Sequence, residues 1–362
     1  MKKWITTILM IAFVISMTAC EKEEGKVVIK EPGKTITVIE DTPKEEEKPK
    51  VSVDKIDRYE KVSITDWLDE NTVILSKDNE TLSKISMAEL SENYPMSLYK
   101  FDLTTKEYEL VKEQEEVFLG GAVFSKDKKF LLYSEYSLGD PSFFIMNMDT
   151  MEGFGIMGDP IGGAMSAKWA GDDVVLGAAY SGGAYTADST GKIEVVEGLE
   201  EESLYLVEKI GNSVYYNTQY DSTLMKFDLN TKEKVGLNLG QVYNLEPSPD
   251  GKQLLILQAE GTKNTLLIYD IESGEKVIVA EGTAFTGVSW SPDQRRIAYN
   301  RMEDKNNTTI SSLYVYDILT GEPTQIAVDI DILSTSWSPS GTKLACMEYD
   351  GSQYISSIIY LK

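Results

Sequence analysis

Histidine is absent from this 362-residue chain. The commonest general base and the usual neutral zinc ligand are therefore missing together, and a serine–histidine triad cannot be assembled. Cysteine stands only at positions 20 and 346, too few for a disulfide framework. Cys346 sits in an alternating strand pattern with Leu344 and, without a histidine to activate it, reads as a small buried hydrophobe. Basic residues are outnumbered 35 to 59 by acidic ones, for a formal net charge of -24. Such a field repels phosphate backbones and anionic surfaces, which excludes nucleic acid as a partner class. Neither a Gly-x-x-x-x-Gly-Lys phosphate loop nor a Gly-x-Ser-x-Gly elbow occurs. Carboxylate pairs such as Asp172/Asp173 and Asp329/Asp331 fall in turn-like stretches, where such side chains cap backbone N–H groups. No metal, no cofactor and no enzymatic activity are expected on these grounds.

Long hydrophobic runs are also scarce. The longest, Trp4 to Met17, has fourteen largely apolar residues, short of the ~20 needed to cross a ~30 Å hydrocarbon core as a helix. Lys2 and Lys3 precede it and small residues follow it, the pattern of a secretory signal. Met17-Thr18-Ala19-Cys20 resembles the lipobox of bacterial lipoproteins, with methionine where leucine is usual. The resemblance implies cleavage between Ala19 and Cys20, a lipid on Cys20, and a position at the cell membrane facing its extracytoplasmic side. Residues 20–50 are dense in charge and proline, which favours a solvated tether. Val27-Val28-Ile29 and Thr35 to Ile39 flank Glu31-Pro32-Gly33 and suit a small hairpin.

From about residue 51 the sequence repeats itself. Val288-Ser289-Trp290-Ser291-Pro292-Asp293, Ser336-Trp337-Ser338-Pro339-Ser340-Gly341 and Pro247-Ser248-Pro249-Asp250-Gly251 are the clearest copies. Weaker ones begin at Trp67, Phe124, Trp169 and Lys209, and the intervals between the seven anchors are 57, 45, 40, 38, 43 and 47 residues. Propeller blades of four strands run ~40–50 residues each. Within a unit an apolar strand ends at the anchor, Ser-Pro-Asp-Gly makes a hairpin turn, and an alternating strand follows. A third strand ends in turns such as Phe101-Asp102-Leu103-Thr104 and Tyr316-Asp317-Ile318-Leu319 before a fourth. The fold expected over 51–362 is all-β: a β-propeller of four-stranded antiparallel blades, seven by the anchor count, with six or eight as alternatives. After Trp337 there is room for three strands, so the missing outer strand is expected from Val51 to Ile56 or from Tyr59 to Val62, closing the ring.

The turns at 247–251, 289–293 and 336–340 resemble the Trp-Ser-Pro-Asp-Gly turn of TolB-like, WD-like propellers. That resemblance implies a rigid platform for protein or ligand binding. Second strands end near tyrosines at Tyr136, Tyr180, Tyr220 and Tyr349, with Glu260 and Glu303 at the matching places of two other units. Recurrence at one blade position groups these six side chains around one mouth of the ring, beside insertions at about 78–96 and 302–311. Tyrosine offers rigid area and a hydroxyl, so this face is the expected partner site. The partner expected is an envelope protein, a peptide or a saccharide; a lyase or hydrolase working with channel carboxylates is the alternative.

Overall fold

The computed structural model describes the strands Lys26–Glu31 and Lys34–Ile39 and residues 51–305 and 308–362. The chain divides into two units, Met1–Pro49 and Lys50–Lys362. In the first, the two short strands pair antiparallel from Lys26 with Ile39 to Glu31 with Lys34. Cys20 and Ala19 lie outside the described residues.

The second unit is a ring of seven four-stranded antiparallel blades. First strands are Val62–Trp67, Phe118–Phe124, Lys168–Trp169, Leu204–Ile210, Val242–Pro247, Ala284–Trp290 and Ile332–Trp337. Each ends at or one residue past an anchor read from the sequence. A single parallel bridge, Met96 with Phe118, ties blade one to blade two. The expected insertion at 302–311 is instead extended structure: strands Arg296–Lys305 and Thr308–Asp317 pair down to Lys305 with Thr308. The Thr-rich stretch continues the ladder because β-branched residues suit a pleated surface. Within the 78–96 insertion the chain forms one 3-10 turn, Ala88–Leu90.

Turn chemistry explains the repeat. Ser125, Ser248, Ser291 and Ser338 are buried at the hairpin after the first strand. The Ser291 hydroxyl donates to Asp293 at 2.6 Å and accepts from the Arg296 amide at 2.8 Å; Ser248 and Ser125 repeat the arrangement with Asp250 and Asp127. The residue closing the turn takes the left-handed region, as Gly251 does at φ 69°. At the other hairpin, Asp102 Oδ1 accepts from the amides of Thr104 and Thr105 at 2.7 and 2.8 Å, and Asp228, Asp270 and Asp317 do the same. These carboxylates satisfy turn amides that no strand pairs.

Among the described residues, seven apolar clusters fill the seven junctions between adjacent blades. Trp67, Trp290 and Trp337 are buried there, and three indoles reach back one blade: Trp67 to the Ser336 carbonyl, Trp169 to Val123 and Trp290 to Glu246. The last sheet is completed by Val53–Glu60, which pairs antiparallel with Tyr354–Leu361 as its outer strand. Of the two candidate stretches for this clasp, the strand observed spans parts of both, because Val62 already begins the first blade.

Candidate functional site

Connections from second to third strands, and from one blade to the next, emerge on one face of the ring. Between blades seven, one and two they enclose a cavity of about 520 Å³. Its walls are aromatic in two pairs: Phe118 with Tyr136, ring centroids 5.4 Å apart, and Tyr349 with Tyr354 at 5.1 Å. Lys61, Asp78, Asn93 and Gln353 supply polar groups. The 350–353 loop is fixed by Asp350 Oδ1, which accepts from the Ser352 hydroxyl at 2.7 Å and from the amides of Ser352 and Gln353 at 2.8 and 2.9 Å. The Ser352 hydrogen bond, with these amides behind it, holds the Asp350 carboxyl down at about 2. Burial raises the Asp78 carboxyl; Lys61 opposes that and Glu80 adds to it. Burial likewise raises the Tyr136 phenol, which therefore stays a hydrogen-bond donor at neutral pH.

The six residues singled out in the sequence do not share one pocket. Tyr136 and Tyr349 line the cavity. Tyr180 donates its hydroxyl to Asp140 at 2.9 Å, and Tyr220 stands 86% exposed. Glu260 borders a shallower depression with Gln241 and Gln258, and Glu303 pairs with Arg301 at 3.0 Å. Lys61, Phe118 and Tyr354 escape sequence reasoning because they lie where strands begin, whereas the recurrent tyrosines mark strand ends. Phe118 opening an apolar strand was the available signal.

A second group was also missed. Two residues that precede an anchor reach the following blade: Asp66 accepts the Phe124 amide at 2.9 Å, and Lys168 donates to Glu208 at 2.7 Å. Glu246 occupies the same place one blade on. Lys168 keeps 48% of its side-chain surface although protein surrounds it closely, as befits a group lining a narrow channel. Burial drives Glu246 up to about 7, Lys168 opposing and Glu208 reinforcing the shift. Burial also raises Glu208 against the pull of Lys168. For Lys168, burial works downward but the two glutamates outweigh it, so the ammonium stays charged. One cation thus serves two carboxylates.

No protein-family model matches the chain, and no curated protein matches it in sequence. Solved structures share its fold. An oligogalacturonate lyase in complex with manganese aligns at TM-score 0.61 and 11% identity, over 86% of this chain and 98% of that one. The Cps50 (Swd1) β-propeller domain of Myceliophteria thermophila gives 0.53 at 12% identity, over 83% and 99%. TolB from Acinetobacter baumannii gives 0.48 at 13%, over 81% and 65%, too slight a likeness to carry an argument. Manganese finds no matching donor set here, since no group of three or more Cys, Asp or Glu stands close enough for a metal among the described residues. The expectation of a non-enzymatic chain is nevertheless corrected: nearly the whole of a lyase has this fold, so the architecture does not exclude catalysis. The chain is an all-β, seven-bladed propeller, a fold shared with an enzyme and with a domain described only as a propeller.

Proposed function

We propose that the chain is a saccharide-binding propeller held at the cell envelope by a lipid on Cys20, with its ligand seated between blades seven, one and two. The observation that carries this reading is the pairing of two aromatic walls with opposed charges and amides in a single cavity of about 520 Å³. Pyranose rings present apolar C–H faces to aromatic rings and hydroxyls to amides, hydroxyls and carboxylates. Lys61 and Asp78 balance one another, which suits a neutral sugar. Titration calorimetry with chito-oligosaccharides tests it: Tyr349→Ala and Phe118→Ala are expected to weaken chitobiose binding at least tenfold at unchanged melting midpoint. An envelope peptide or protein captured in place of sugar, with no saccharide heat, would overturn it. Partition of the mature chain into detergent, abolished by Cys20→Ser, tests the anchor.

A second reading is favoured by Glu246. A carboxyl that titrates near neutrality beside the Lys168–Glu208 pair suits proton transfer in a carboxylate-dependent lyase or hydrolase working in the channel. Release of reducing or unsaturated sugar ends that disappears in Glu246→Gln, with chitobiose affinity intact, would establish it.

A further inference from the structure

We propose a second saccharide subsite on blades four and five of the same face, so that the ligand is an extended neutral glycan laid across the channel mouth. The proposal rests on the first-pocket reading above. Tyr205, Gln219, Ser222, Gln241 and Tyr243 line a cavity of about 390 Å³, and a smaller one of about 310 Å³ that shares Gln241 continues to Glu260. In a seven-membered ring the junction of blades four and five faces blade one, which lies at the centre of the first cavity. The two cavities therefore oppose each other over the opening.

The chemistry of the two sites agrees. Tyr205 is 51% exposed and Gln219 and Gln241 are open to solvent. Burial pushes the Tyr243 phenol up to about 12, so it remains a neutral donor. Within the 390 Å³ cavity the lining carries no full charge. A surface of tyrosine faces, amides and hydroxyls recognises a polyhydroxylated chain better than an ionic one.

The connection that presents Gln241 is also held in an uncommon shape. Asn238 and Gln241 both take φ 54°, a region non-glycine residues seldom occupy. Gln258 Nε2 donates to the Gly240 carbonyl at 2.7 Å, and the Ala259 amide donates to the Gln241 carbonyl at 3.0 Å. A strained segment clamped from the neighbouring hairpin fixes its outward side chain before any ligand arrives.

Two subsites joined by one ligand raise affinity only when the ligand reaches both. The probe is a series of chito-oligosaccharides from two to eight units, titrated into the mature chain. The dissociation constant is expected to fall at least tenfold above a threshold length. Tyr205→Ala with Gln219→Ala should abolish that fall while leaving the chitobiose constant and the melting midpoint unchanged. A constant independent of length, or a fall that survives in the double variant, would overturn the second subsite. Loss of all binding, chitobiose included, would instead overturn the first-pocket reading and this one with it.

Discussion

The Trp67 indole donates to the carbonyl of Ser336 at 3.0 Å, across the junction where the first and last blades meet. The two residues are 269 positions apart, and Trp67 is almost wholly buried. Trp337, at the same place in the last blade, leaves its indole nitrogen buried without a hydrogen-bond partner among the described residues. Trp67→Phe and Trp337→Phe remove the same ring volume, but only the first removes a made hydrogen bond, worth about 1 kcal/mol. Urea unfolding should show Trp67→Phe to be the costlier by about that amount. Equal losses would mean that the bond contributes nothing to closure.

The clasp makes a larger demand. Val53–Glu60 pairs along Tyr354–Leu361, and Val51 is buried against Trp337 and Leu361. Deleting residues 51–60 strips a ladder whose hydrogen bonds contribute about 1 kcal/mol each and bares an edge strand that invites association. A loss of several kcal/mol is expected on this count, with dimers or larger species on gel filtration. A monomer of unchanged melting midpoint would contradict the role given to the clasp.

Glu246 makes stability depend on pH. Its folded value of about 7 lies above the ordinary 4.5, so the folded state holds the proton more tightly than the unfolded one. Its contribution is full below about 4.5 and is lost as pH rises through about 7. Between those limits it amounts to no more than about 3 kcal/mol, given 1.36 kcal/mol per pH unit. Glu246→Gln should raise the melting midpoint at pH 8 relative to the unaltered chain and leave it nearly level at pH 5. A variant equally stable at both values relative to the parent would show that the carboxyl titrates normally.

Cys346 is 2% exposed, packed with Leu344, Ile359 and Trp337, and burial drives its thiol far above the usual range. The native Cys20→Ser chain should react with Ellman's reagent only at the rate of unfolding, and one thiol per chain should appear once urea is added. Rapid native labelling would place the thiol near solvent.

Anchor spacing carried the blade count because each blade must bury one apolar wedge and close the same two hairpins. Even the weak copy at Lys209 marks a strand, Leu204–Ile210, whose turn needs only Gly211 at φ 56°. The Asp102, Asp228, Asp270 and Asp317 turns were legible for the same local reason. The 302–311 segment was misread as an insertion because polar β-branched residues look alike in a loop and in a strand that extends beyond the core. Of the tyrosines, Tyr136 and Tyr349 meet in one cavity while Tyr180 and Tyr220 do not, which depends on how far each connection travels after its strand.

The sequence by itself determined what is local and periodic: strands, turns, a blade count of seven with six or eight left open, and the need for an outer strand from the stretch before the first blade. Tertiary structure alone decided which distant residues meet, setting Phe118 beside Tyr136, Tyr349 beside Tyr354, and Lys168 against Glu208. Periodicity fixes the direction of a side chain within its own blade. The depth and neighbours of a site depend on the angle between blades and on their closure into a ring, which no single repeat contains.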